Sequence, residues 1–334
     1  ELNSGGLLTN TGSSDFNAIG TLNLNGGTLR GVGGNSAAYR SWSLNGGATV
    51  TVGGATTSTM EGTGSNIGLN LSATTTFDVG AGSTLNVTTL PLADVRGSGT
   101  ANLIKTGPGQ MILGAANTYT GATTVNEGTL LANNTTSSTG SGTVTVNNGG
   151  TLANSVDGGK VGGSIVVNSG GTVYPGNGTA GITLNVGGSA TFNSGSAMKY
   201  DFSGASFSKL AITGTISASG TVYIDAYGTP NNSSYDVTTY NTSTAPTLTK
   251  RDIPSGKTET LTSDNAKVTL TFGSAGYTIG GTISGYTTSG TSVYLYINGG
   301  GTQDAATTDV SGNFTSSAIS WVSGDKLLIY LVGD

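Results

Sequence analysis

The chain has 334 residues, of which 34% are hydrophobic and only 9% charged, with 58 glycines and a net charge of -5 at pH 7. It contains no cysteine and no histidine, which excludes disulfides, a zinc site of the usual ligand set and any Ser-His or Cys-His nucleophile pair. Its basic residues are dispersed, with Lys250-Arg251 the only adjacent pair, so no nucleic-acid partner is expected.

No stretch approaches the roughly 18 apolar residues that cross a bilayer, so no membrane-spanning segment is expected. Glu1-Leu2-Asn3 does not read as a signal peptide. The chain opens and closes abruptly, as a processed piece of a longer protein would. Low hydrophobicity alone predicts disorder. The valines, leucines and isoleucines nevertheless fall at alternating places, and charge is too sparse for a self-repelling tail.

In chain order a turn signature recurs: Gly26-Gly27-Thr28-Leu29, Gly46-Gly47-Ala48-Thr49-Val50, Gly82-Ser83-Thr84-Leu85, Gly128-Thr129-Leu130, Gly149-Gly150-Thr151-Leu152 and Gly170-Gly171-Thr172-Val173. Gly and Asn tolerate the positive φ of sharp corners, and the alternation between corners marks half-buried strands. Gly27 to Gly47 is a step of 20, and Gly128, Gly150, Gly171 and Gly188 are separated by 22, 21 and 17. The wider gaps, 47 to 82 and 82 to 128, are read as two periods each.

A repeat near twenty residues with no helical periodicity predicts an all-β fold, a β-solenoid over residues 1–245. Roughly 12 coils at about 4.8 Å each make a rod about 60 Å long. The expected apolar column includes Leu22, Leu24, Leu29, Val50, Val52, Phe77, Val79, Leu85, Val144, Val146, Ile165, Val167, Leu184, Val186 and Phe192. Threonine favours strands even where exposed, and stacked corner asparagines are expected to hydrogen-bond along the axis.

Gly99, Leu103, Lys105, Thr106, Gly107, Gly109, Leu113, Gly114, Asn117, Thr118, Tyr119, Gly121, Thr124, Val125, Gly128, Thr129 and Leu130 carry a resemblance. With K-T-G-x-G and N-T-Y-x-G at this separation, the segment resembles the autotransporter-associated β-strand repeat of bacterial surface-protein passenger domains. Residues 164–196 are similar to passenger sequence as well. The resemblance implies a right-handed β-helix exposed outside a bacterial cell. An autotransporter ends in a membrane β-barrel, which this chain does not supply. A large repetitive surface protein carrying the same repeats is therefore the preferred reading.

After Pro246 the strands lengthen and carry more aromatics. Residues 267–272 alternate, as do Tyr277-Ile279 and Val293-Leu295-Ile297. Asp309 to Thr315 reads as a turn into a strand, and residues 326–332 as a strand buried on both faces. Residues 246–334 are expected to form a small Ig-like β-sandwich, and they are similar to the Ig-like modules of giant bacterial surface proteins.

The solenoid acids Asp15, Glu61, Asp78, Asp94, Glu127, Asp157, Asp201 and Asp225 are spread about one per coil or fewer. A polysaccharide lyase or glycosidase needs them clustered beside Arg or Lys, so no enzyme is expected. Lys105 is read as solvated or stacked. Asp304, Asp309 and Asp325 lie near loops where they could share calcium, although Asp before Ser-Gly-Asn more simply makes an Asx turn. Trp42 and Trp321 are read as packed rather than as sugar platforms. No catalytic, cofactor or metal residue is assigned.

These readings combine into a secreted structural protein, the subunit of an extracellular filament, sheath or cell-surface layer that self-associates end to end into a homopolymer. The alternative is an adhesin that holds a glycan or a surface protein through the solenoid flank or the sandwich loops.

Overall fold

A computed structural model describes residues 1–10, 17–34, 36, 40–95, 99–241, 245–274, 276–277, 280–282, 292–297, 302–309, 311, 313–316, 319–320 and 326–331. Every regular element among the described residues is a β-strand. The chain divides into two compact units, one of Glu1–Ile253 with Leu261–Leu270 and the other of Pro254–Thr260 with Thr271–Asp334.

The first unit is a β-solenoid of about nine turns. Its strands stack in parallel on three faces. A ten-stranded sheet runs from Leu2–Asn3 to Ile216–Ala218, and a longer sheet follows the second face as far as Thr249–Asp252. The third face carries a four-stranded sheet over the early coils and, after an interval of turns, a second sheet that begins at Gly159–Val161 and continues through Thr183–Val186 and Lys209–Ile212 to Ser234–Thr239.

Stacking places chemically similar residues in register. Leu22 pairs with Val50, Val50 with Phe77, Phe77 with Lys105, Lys105 with Val125, Val125 with Val146, Val146 with Val167 and Val167 with Phe192. The expected column residues all point inward, and Leu24, Val146, Val167 and Phe192 have no exposed surface. One or two apolar side chains per strand are enough because each is covered from above and below by its counterpart.

The coil length differs from the expected twenty. Successive positions of the column are 28, 27 and 28 residues apart from Leu22 through Val50 and Phe77 to Lys105. They are then 20, 21 and 21 apart through Val125 and Val146 to Val167. The twelve expected coils therefore reduce to about nine. The reason is that glycine pairs occur at two different corners. Gly26 lies where the chain leaves the ten-stranded sheet, between Leu22–Asn25 and Thr28–Gly31, whereas Gly46 and Gly47 precede Thr49–Val52 where it enters.

The leaving corner holds the true period, because Gly26, Gly54, Gly82, Gly107, Gly128, Gly149, Gly170, Gly195 and Gly220 all have positive φ there. At Gly128 a side chain is excluded twice, by φ of +69° and by a Cβ that would lie 2.4 Å from the carbonyl oxygen of Gly109.

Beside this corner the asparagines form the expected ladder. The Nδ2 of Asn147 donates to Oδ1 of Asn126 at 2.7 Å, Asn168 donates likewise to Asn147, and Asn193 to Asn168. Each rung satisfies one amide donor and one acceptor along the axis, as in stacked fibrils.

The solenoid unit continues past residue 245. Thr249–Asp252 adds a parallel strand to the long sheet against Tyr223–Pro230, and residues 261–270 also belong to this unit.

In the second unit the described strands are short and antiparallel. Ser292–Ile297 lies between Thr302–Thr307 and Leu327–Leu331, Gly276–Tyr277 pairs with Ile319–Ser320, and Gly280–Thr282 pairs with Asn313–Thr315. Val293, Ala306 and Phe314 form a small core. The last strand is not buried on both faces as expected, since Leu328 and Ile329 are 57% and 44% exposed. Its apolar run reflects pairing at a sheet edge, where strand propensity and burial part company.

Candidate functional site

Two clusters depart from the Ser, Thr and Asn skin of the rod. The first locks the coil that carries the K-T-G-x-G segment. Lys105 occupies the column position between Phe77 and Val125 and has no exposed surface. It is stacked inside rather than solvated. Its Nζ donates to the carbonyl oxygens of Thr106 at 2.7 Å, Gly107 at 2.6 Å and Glu127 at 3.2 Å, which ties together two successive corners. Burial lowers its pKa to about 8, against the opposing pull of Asp78 and Glu127.

In the same coil Tyr119 is fully buried, with its hydroxyl 2.7 Å from Thr123 Oγ1, and burial pushes its pKa upward. Asn117 accepts from the Leu92 amide at 2.7 Å and donates to Ser138 O at 2.5 Å, so it joins three coils. Asp94 Oδ1 accepts the amides of Ala101 and Thr120. Lys105, Asn117 and Asp94 bond chiefly to backbone and Tyr119 to the Thr123 hydroxyl, so this cluster serves to position the chain.

The second cluster lies on the outward face of the long sheet. The strands Thr172–Tyr174, Ala197–Gly204, Tyr223–Pro230 and Thr249–Asp252 are neighbours there. Register sets Lys199 beside Asp225 and Asp201 beside Tyr227. Tyr174 donates from its hydroxyl to Asp201 Oδ1 at 2.9 Å, and Tyr227 to Asp252 Oδ2 at 3.0 Å. The Lys199 ammonium stands 5.9 Å from both ring centroids, between Tyr174 and Tyr227. Arg251 stacks 4.5 Å from the Tyr223 ring centroid and holds Asp225 with both Nε, at 2.9 Å, and its terminal nitrogen.

Asp225 is fully buried under that arginine. Burial raises the Asp201 pKa although Tyr174 and the Gly178 amide hold its carboxylate. Tyr227 is pushed up to about 12, chiefly by burial and then by Asp252. Such a face offers fixed rings edged with donors and acceptors whose charges are largely compensated in place.

The other sequence candidates lie apart. Glu61 pairs with Arg30, and Asp157 accepts the Thr183 amide. Trp42 is packed, 5% exposed, and donates to the Arg30 carbonyl oxygen. Asp309 closes an Asx turn by accepting the amides of Ser311 and Asn313. Asp304 lies in Thr302–Thr307, whereas Asp15, Trp321 and Asp325 fall outside the described residues. Among the described residues no three acids gather to hold a metal ion, and no helix is long and apolar enough to cross a membrane.

The K-T-G-x-G coil, with its buried lysine and tyrosine, is also where a known family answers. Residues 103–132 match the model of the passenger-associated-transport-repeat. No curated protein matches the chain. Together with the solenoid, the match bears out the passenger-type resemblance for this segment. The passenger-associated-transport-repeat thus spans the strands from Asn102–Thr106 to Gly128–Ala132 and includes Lys105, Asn117 and Tyr119. The tyrosine and ion-pair face lies outside it, some forty residues further along the chain.

Proposed function

We propose that this protein is a passenger-type rod working outside a bacterial cell, as the structural subunit of an extracellular filament, sheath or surface layer. The observation that carries this reading is the unbroken parallel register of the ten-stranded sheet, which builds length from a minimal core and a polar skin. The passenger-associated-transport-repeat at residues 103–132 supports the extracellular setting. We take the coil to be right-handed and the second unit to be an Ig-like module, as in repetitive surface proteins.

Subunits join end to end. Among the described residues Thr249–Asp252 is the last strand in the order of the long sheet and is exposed at all four positions, and a strand placed at the end of a sheet can accept a further one. In this reading the protein is not an enzyme: the acids on these strands are each engaged by a neighbour, Asp201 by Tyr174, Asp225 by Arg251 and Asp252 by Tyr227.

Electron microscopy of the native surface and of purified protein tests the proposal. Regular fibres or layers whose repeat matches one subunit are expected, and a protein that stays monomeric at high micromolar concentration overturns it. A second reading, an adhesin, is favoured by the tyrosine and ion-pair face, the sharpest departure from the rod's bland skin.

A further inference from the structure

We infer that the outward face built by Tyr174, Lys199, Tyr223, Tyr227 and Arg251 is a binding platform for an uncharged saccharide chain. The inference rests on the adhesin reading and gives it a site and a ligand class.

Concentration is the first argument. The strands that precede Thr172–Tyr174 in the long sheet carry one basic residue, Arg30, one acid, Glu61, and no aromatic residue. The tyrosines and ion pairs then arrive together on adjacent strands. The solenoid does not need them to close its core, since Val173, Met198 and Ile224 already fill the inward side of these strands.

Preorganisation is the second argument. The hydroxyls of Tyr174 and Tyr227 are anchored on carboxylates, so the two rings, 6.5 Å apart, are held in place while both side chains remain partly exposed. A platform whose rotamers are already fixed loses little entropy when it takes a ligand. Tyrosine presents a flat apolar ring with a polar edge, the complement of a pyranose, which has C–H groups on its faces and hydroxyls around its rim.

Charge selects among occupants. Arg251 pairs with Asp225, Lys199 lies beside Asp225 in register and close to both rings, and Asp201 and Asp252 are held by the tyrosine hydroxyls, so the two cations nearly offset the three carboxylates and little net field remains to attract a polyanion or a polycation. The face is a sheet surface with strands about 4.8 Å apart, which suits an extended chain lying across several coils.

The test is an array of uncharged oligosaccharides probed with the full chain, with heparin and polylysine as charged controls, followed by titration of the strongest ligand. Binding of at least one uncharged glycan is expected, weakened tenfold or more in Tyr174→Ala/Tyr227→Ala. Tyr227→Phe, which keeps the ring but loses its anchor on Asp252, should weaken binding by less than the double alanine variant does. Thermal unfolding of each variant confirms that the rod is intact. Binding to none of the uncharged glycans, equal binding by the folded double alanine variant, or binding to the charged controls alone each overturns the inference. Filament formation is scored separately by microscopy, so failure of one reading does not mask the other.

Discussion

A lysine enclosed in a valine column is the most consequential single residue of the rod. Burial lowers the Lys105 pKa to about 8, whereas in the unfolded chain it sits near 10.4. Below pH 8 both states keep the proton and the penalty for burying the charge is fully present. Between pH 8 and about 10.4 the unfolded chain binds more protons, so stability rises with pH, by at most about 3 kcal/mol. Above about pH 10 the order reverses, because Tyr119 and Tyr200 have pKa values raised by burial and stay neutral in the fold while they ionise in the unfolded chain.

Denaturant unfolding at intervals from pH 7 to 11 should therefore show a maximum near pH 9 to 10. Lys105→Met should lack the rising limb, so its deficit against the parent widens with pH as the corner carbonyls go without a donor. At the far end of the rod, Arg251→Ala leaves the fully buried Asp225 without its counter-ion. It should loosen the last coils by about 3 kcal/mol, read as faster hydrogen exchange over Tyr223–Pro230. Neither residue announces itself in the sequence. A lone Lys in a polar segment reads as solvated, and Arg251 meets Asp225 only because a 26-residue separation happens to close one coil.

Among elements, the corner between the ten-stranded and long sheets sets the geometry. Gly128→Ala should destabilise the solenoid by about 2 kcal/mol or more, since the backbone is left-handed and the added carbon meets the Gly109 carbonyl. Asn147→Ala removes two rungs of the amide ladder at once, one to Asn126 and one to Asn168. A loss of about 1 to 2 kcal/mol in denaturant midpoint measurements is expected.

The strands and their inward faces were legible because alternation has the same period wherever a strand is half buried, and Leu24, Val52, Val146 and Val167 all follow it. Coil length was not, because Gly27 and Gly47 mark different corners of the path and look alike in one dimension. The tyrosine and ion-pair face was hidden for the same reason. Tyr174, Asp201, Tyr227 and Asp252 are separated by 27, 26 and 25 residues, and only the fold makes them neighbours.

For the solenoid unit as a whole, stability is a sum over coils and the contacts between them. Val125 and Val146 occupy equivalent positions 21 residues apart. Deleting residues 126–146 should give a folded protein with its core in register, shorter by about 4.8 Å. Deleting only residues 126–136 should throw every later strand out of phase and prevent folding. Circular dichroism and small-angle scattering distinguish the two outcomes. The equivalence also bears on ancestry. A stretch of twenty-one codons copied in tandem at this point encodes a floor whose ceiling and foundation are already built. Replication slippage can therefore lengthen the molecule storey by storey without any new side chain having to be invented.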